Sequence, residues 1–197
     1  MTNDLRRLPP VRKTGKKPFR GVPGGVTLHD FWEWAYSDLV TNTNRGVLAE
    51  YLVAHALGAD QDVRQTWRPY DIETPGGVKV EVKSAAYLQA WGQPKGLSRI
   101  SFGVAPTHAE DPDTALFAKE AKRQAEVYVF ALLKHEDKQT LDPMDVSQWV
   151  FYVLPTNRLG AERTLRLERL RKLAPEEVRL ENLRDAVAAA HRSPSAT

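Results

Sequence analysis

The feature that most limits the fold of this chain is a turn signal, Pro75-Gly76-Gly77, between two stretches in which apolar and charged residues alternate. Alternation with a period of two is typical of β-strands that are buried on one face. A short loop rich in glycine and proline between two such stretches predicts a β-hairpin. We therefore predict strands over 70–74 and 78–86.

The hydrophobic pattern also predicts the register of this hairpin. A three-residue loop places Ile72 opposite Val80 and Asp71 opposite Glu81, and a slip of one residue would turn every apolar side chain to the wrong face. The apolar face then comprises Tyr70, Ile72, Thr74, Val78, Val80 and Val82, and the charged face comprises Asp71, Glu73, Lys79, Glu81 and Lys83.

The opposed carboxylates of Asp71 and Glu81 suggest a metal site. Directly opposed side chains have Cβ atoms roughly 5 Å apart, a distance at which two carboxylates repel each other unless a cation lies between them. Mg²⁺ prefers oxygen ligands and keeps several waters, and a bound metal lowers the pKa of such a water. Lys83 projects from the same face and could hold the attacking water. The alternative is an ordinary solvated face, as Glu73 opposite Lys79 is expected to be.

The remaining segments predict an α/β domain with a mixed sheet flanked by helices. Two helices precede the hairpin, a third strand follows it, and then come a helix, two buried strands and a helical end. The predicted helices begin at Thr27, run from Asn44 to Gly58, and cover 114–125 and 165–191, with Pro175 at a first helical position; the further strands cover 100–104, 127–133 and 149–154.

Three sets of side chains are predicted to be buried. The first helix is expected to bury Phe31, Trp34, Ala35 and Leu39, and the second to bury Val47, Leu48, Tyr51, Leu52 and Ala54. Core positions are also expected for Trp32, Trp34, Trp67 and Trp149.

The N-terminus differs in composition from the rest of the chain. Residues 1–26 predict a flexible basic arm, and 27–197 a single domain with its core over 44–154 and a helical extension over 156–191. The arm carries Arg6, Arg7, Arg12, Lys13, Lys16 and Lys17 against one acid, Asp4. It is expected either to lie along a phosphate backbone or to serve as a solubilising tail.

Composition excludes several classes of protein. The chain has no cysteine, which excludes disulfides and thiolate metal sites and suits a reducing, cytoplasmic location. No apolar run reaches the length of a membrane span, and the N-terminus has no secretory pattern. Zinc-hydrolase, serine-hydrolase and P-loop motifs are also missing from the sequence.

The residues Asp71 and, after the hairpin, Glu81-Val82-Lys83 resemble the catalytic motif of the PD-(D/E)XK nuclease superfamily, although Tyr70 stands where that motif has proline. The predicted order of elements is similar to the common core of that superfamily. Two further segments, Gly46 to Glu50 and Gln124 to Tyr128, are similar to the G-x-x-x-E and Q-x-x-x-Y motifs of its RecB-like branch.

The resemblance implies a restriction-endonuclease-like fold and a metal-dependent nuclease that uses Mg²⁺ or Mn²⁺. Its metal ligands would be Asp71, Glu81, Glu50 and the backbone carbonyl of Val82, and Lys83 would position the nucleophile. Nucleic acid is the implied partner, double-stranded DNA before RNA, in restriction, defence or DNA processing. A non-catalytic nucleic-acid-binding module and an RNA endonuclease are the alternatives, and the oligomeric state stays open, a homodimer included.

Substrate contacts are predicted in the segment 87–99, which directly follows the catalytic strand. Lys95 and Arg99 would bind phosphates, and Gln89 would read adenine edges; Gln124 is a fourth candidate. The alternatives are a long loop packed on the core and, for Gln124, a backbone contact at a helix end. Glu50 could likewise reach water from the edge of its helix instead of facing a metal.

Overall fold

The computed structural model of the protein describes residues 8–66, 68–110, 114 and 116–193. The predictions for Arg6, Arg7 and Trp67 lie outside these residues. The helices are α1 (Leu28–Tyr36), α2 (Asn42–Leu57), α3 (Leu167–Leu173) and α4 (Leu183–Arg192); the strands are β1 (Ile72–Glu73), β2 (Lys79–Ala86), β3 (Ser101–Gly103), β4 (Val127–Leu133), β5 (Trp149–Pro155) and β6 (Thr164–Arg166).

The main sheet is mixed, which confirms the predicted α/β class. Its order is β1-β2-β4-β5, with β2 and β4 parallel and both outer pairs antiparallel. The central strand β4 is buried along its whole length, as a continuous apolar run predicts for a strand covered on both faces. Helices α2 and α4 cover one face, where Val53 and Val187 meet the sheet, and α3 with the small β3–β6 sheet covers the other.

Two parts of the prediction differ from the structure. The third strand forms at its predicted place, but it pairs outside the main sheet with β6, whose last two residues were predicted to be helical. In the described part of 114–125 no helix forms: this segment is extended and bridges back to the preceding loop through Thr107–Lys122 and Glu110–Phe117. Its backbone groups therefore bond to another segment, as when the Ala118 N–H donates to the Ala109 carbonyl at 2.7 Å.

Helix α1 begins where predicted, because the Asp30 carboxylate accepts hydrogen bonds from the backbone N–H of Thr27 at 2.6 Å and from its hydroxyl at 2.7 Å. The predicted burial of its aromatic residues is wrong. Phe31 and Trp32 are exposed, and Trp34 is 85% exposed. The helix lies against the N-terminal arm at its first turn and buries none of its residues completely, so an apolar stripe has no layer to pack on. Trp149, by contrast, is buried as predicted.

Helix α2 begins near the predicted residue and ends at Gly58, whose left-handed backbone (φ 71°) stops the helix. Its fully buried row is Arg45, Ala49, Val53 and Leu57, spaced four residues apart. The predicted face is wrong for Tyr51, which is exposed, whereas Leu48, Leu52 and Ala54 are partly buried against the core. Helix α2 carries apolar residues on several sides, and only the position of the sheet decides which of them are buried.

The C-terminal region is helical in two short pieces. Helix α3 ends at Leu173, and no described helix starts at Pro175. The chain there bridges to β5 through Val178 and Phe151, so the backbone is held by the sheet edge instead of by a helix.

Residues 8–26 contain no helix or strand but are attached to the domain. The Arg12 guanidinium donates to the Gln61 carbonyl at 2.7 Å, and the Leu28 and His29 N–H groups donate to the carbonyls of Lys17 and Gly15, each at 2.9 Å. The arm is thus exposed, but it is hydrogen-bonded to the domain through Arg12, Gly15 and Lys17. No described helix is long and apolar enough to cross a membrane.

Candidate active site

The β1–β2 hairpin has the predicted register. Ile72 pairs with Val80 and Glu73 with Lys79, so Asp71 lies opposite Glu81. Tyr70 departs from the pattern: its hydroxyl donates to the Glu73 carboxylate at 2.7 Å on the charged face. The chain bends at Asp71 and β1 begins only at Ile72, so strand alternation does not reach back to Tyr70.

Asp71 sits where β1 starts and is fixed by the backbone of β2. Its N–H donates to the Val80 carbonyl at 3.2 Å, and its carboxylate accepts from the Val82 N–H at 2.7 Å. Beyond this point β1 makes no further pairs, so the rest of β2 has a free edge on this side. The carboxylate therefore stands where the pairing of β1 with β2 ends.

Glu81 and Lys83 occupy the same face of β2, as predicted. The Lys83 ammonium donates to Glu81 Oε1 at 2.6 Å, and the side chains are 32% and 18% exposed for Lys83 and Glu81. Both groups are thus partly shielded but reachable from solvent, as residues that meet a substrate must be.

The electrostatics of Asp71 are unusual. Burial is the main cause that raises the pKa of Asp71 from 3.8 to about 7, followed by the charges of Glu81 and Glu50. The Val82 N–H and Lys83 act in the opposite direction. Glu81 and Glu50 are therefore close enough to disfavour the charged form of Asp71, and the Val82 N–H and Lys83 offset this effect only in part.

Glu50, the third carboxylate, is engaged by an arginine that sequence reasoning missed. It accepts two hydrogen bonds from Arg64, one of them from Nη2 to Oε1 at 2.8 Å, and it is 17% exposed. The same contact, with the charge of Asp71, raises the pKa of Arg64. Arg64 lies in the loop before the hairpin and belongs to no motif, so the sequence offered no signal for it.

Tyr128 lies next to the site in β4, and Gln124 lies on the chain that enters this strand. Tyr128 pairs in register with Glu81, and burial together with the charge of Glu81 raises its pKa to about 12. The phenol is therefore a neutral donor near the carboxylates. Gln124 lies on extended chain and not at a helix end; its amide nitrogen is buried and has no hydrogen-bond partner in the described part of the protein.

The donor set fits a divalent cation in part. Asp71, Glu81 and the Val82 carbonyl offer the hard oxygen donors that Mg²⁺ and Mn²⁺ take, and a cation would favour the charged form of Asp71. Glu50 is held by Arg64 and is not a free ligand. Within the described residues, no three histidine, aspartate or glutamate side chains are grouped as a metal cluster.

The predicted substrate contacts separate into two kinds. Gln89 is 8% exposed, and its amide donates to the Ala86 carbonyl at 2.9 Å, which makes it a support of the loop instead of a group that faces a base. Lys95 and Arg99 are exposed on the same loop and are free to meet phosphates.

The family model of bacteriophage T4 endonuclease IV matches residues 27–164, more than half of the chain. The chain belongs to this family. The matched region contains Glu50, Asp71, Glu81 and Lys83, and membership supports a nuclease that acts on nucleic acid. No curated protein and no solved structure matches the chain.

Proposed function

We propose that this protein is a metal-dependent endonuclease of the PD-(D/E)XK type that hydrolyses phosphodiester bonds in DNA, in DNA processing or defence. One observation carries the proposal: Asp71 and Glu81 oppose each other across a hairpin with Lys83 on the same face, within a family described as an endonuclease. Lys83 and Glu81 are 32% and 18% exposed, which gives a substrate strand access to these groups.

Each residue has a role that follows from its contacts. Asp71, Glu81 and the Val82 carbonyl would hold Mg²⁺ or Mn²⁺, which supplies charge for the phosphate and a more acidic water. Lys83, which Glu81 positions, donates to the attacking water and offsets negative charge that develops on the phosphate. Glu50 acts on Asp71 through its charge and orients Arg64.

The test compares wild type with Lys83→Ala on plasmid, linear duplex, single-stranded DNA and RNA, with and without Mg²⁺ or Mn²⁺. Positioning and acid–base groups contribute about 10²–10⁴-fold, so cleavage of DNA should fall by that factor while binding changes little. Lys79→Ala is the matched control, because it removes the same charge from an exposed position of the same strand.

The outcomes separate the alternatives. Equal metal-dependent cleavage by wild type and Lys83→Ala refutes the assigned role of Lys83. Tight binding without cleavage by wild type identifies a binding module, and cleavage restricted to RNA identifies an RNA endonuclease.

A further inference from the structure

A polar cavity lies along β2, beyond the candidate active site. Its volume is about 320 Å³. It is bounded by the first turn of α2, the end of β2 and the chain that leads into β3, and none of the described residues that line it is acidic. The lining includes two arginines, three serines and an amide: Arg45, Arg99, Ser84, Ser98, Ser101 and Gln89.

Arg45 is the decisive residue of this cavity, because its charge is buried and none of the described residues gives it an anionic partner. It is 4% exposed, and its Nε is buried with no hydrogen-bond partner in the described structure. Its other nitrogens donate to neutral oxygens, at 2.8 Å to Asn42 Oδ1, at 3.3 Å to the Val40 carbonyl and at 3.4 Å to Gln89 Oε1. A buried guanidinium is costly unless it is paired, and an arginine does not lose its proton in a protein.

The surroundings of Arg45 all favour an anion. The cavity opens at the N-terminus of the 16-residue helix α2, where backbone N–H groups and the helix dipole attract negative charge. Arg99 adds a second guanidinium at the exposed rim, and serine hydroxyls can donate to phosphate oxygens.

The cavity also continues the candidate active site. Ala85, which lines the cavity, is on the same face of β2 as Lys83 and lies roughly 7 Å further along the strand. In this stretch β2 is no longer paired with β1. A nucleic-acid strand with one phosphate at Asp71 and Lys83 would therefore bring a neighbouring phosphate towards the cavity.

We propose that the Arg45 cavity binds a phosphate of the substrate strand that neighbours the scissile phosphate. The inference rests on the proposed function for the source of the phosphate, whereas the anion site itself follows from the cavity. Its role is to fix the register of the strand relative to Lys83, since phosphate contacts position a nucleic acid without reading its sequence.

The first test uses inorganic phosphate with the full chain in metal-free buffer. Phosphate should raise the thermal unfolding midpoint of wild type, because a ligand of the folded state stabilises it. The increase should disappear in Arg45→Gln and shrink in Arg99→Ala, which changes an exposed side chain and leaves the fold intact. The control Arg192→Ala removes an exposed charge that does not line the cavity and should respond like wild type. An equal increase in all four proteins overturns the site.

The second test locates the phosphate in the substrate and is run in the cleavage-impaired Lys83→Ala background. Oligonucleotides carry one neutral methylphosphonate at successive positions around the cut site. A lost charged hydrogen bond should weaken binding about 10- to 100-fold at one neighbouring position, and Arg99→Ala should reduce that position's effect in part. Arg99→Ala should also reduce the slope of log affinity against log salt by about one.

The two tests keep the inferences apart. One outcome is that wild type cleaves DNA while Arg99→Ala leaves the phosphate response, the DNA affinity and the salt slope unchanged. This result rejects the phosphate site in the cavity and retains the proposed nuclease function. A phosphate response that depends on Arg45 in a protein that cleaves nothing keeps the anion site, identifies free or terminal phosphate as its source, and rejects the nuclease.

Discussion

Replacing Asp71 by asparagine should stabilise the metal-free protein above neutral pH while it abolishes cleavage. Asparagine keeps an oxygen that can accept the Val82 N–H but cannot ionise. Burial and the charges of Glu81 and Glu50 raise the pKa of Asp71 from 3.8 to about 7. Each pKa unit corresponds to about 1.4 kcal/mol, so ionised Asp71 costs the folded state on the order of 4 kcal/mol.

The sign follows from linkage. Between pH 4 and pH 7 the folded protein holds the proton on Asp71 and the unfolded chain does not, so the wild-type free energy of unfolding falls as pH rises through this window. Asp71→Asn lacks this fall. The two proteins should have similar stability near pH 4, and the variant should be more stable above pH 7 by up to the amount given above.

Urea denaturation in EDTA at a series of pH values between 4 and 9 measures the difference. Glu73→Gln is the matched control, because it removes a carboxylate from the same hairpin whose side chain is 40% exposed beside Arg68; an exposed pair contributes about 1 kcal/mol or less. If the difference in unfolding free energy between Asp71→Asn and wild type does not grow as pH rises from 4 to 7, burial and the neighbouring carboxylates do not disfavour the charge of Asp71.

Three further outcomes are expected. Mg²⁺ or Mn²⁺ should stabilise wild type by about 3 kcal/mol at a hundred times its Kd and Asp71→Asn hardly at all; an equal thermal shift in both would place the ion elsewhere. Replacing Lys13 and Lys16 of the exposed arm by glutamine should flatten the slope of log DNA affinity against log salt by about two, and an unchanged slope would make the arm a solubilising tail. A Cβ at Gly46 meets no atom within 4 Å, so Gly46→Ala should stabilise helix α2 by about 0.5–1 kcal/mol, and a lower urea midpoint would contradict that reading.

The hairpin was predictable because strand pairing is local. A period of two and a short loop fix which residues face each other, so the sequence sufficed to oppose Asp71 to Glu81 and to place Lys83 on their face. The buried strand β4 was also predictable from local sequence, because a continuous run of apolar residues is stable only in the interior of the protein.

The segment 114–125 shows where local pattern fails. Its composition permits a helix, but its described backbone bonds to the loop that begins at Thr107, a partner that no local propensity reveals. The predicted burial of the aromatic residues of α1 is wrong for the opposite reason. Their spacing suits an amphipathic helix, yet burial needs a facing layer, and the fold leaves Trp34 in solvent.

The sequence by itself determined the strands of the main sheet, the hairpin register and therefore the identity of the opposed carboxylates, because these depend on residues close along the chain; it did not reveal β6, which forms only against β3. Only the tertiary structure decided the environment of those groups: Glu50 paired with Arg64, and Arg45 buried with no anionic partner among the described residues. Burial and distant partners set the charge balance of a site, and both come from segments that meet only when the chain folds. Arg45 is the one charged residue in the buried row of α2, whose other members are apolar and spaced by four residues. The sequence shows this exception, but only the cavity in the folded protein indicates a role for it.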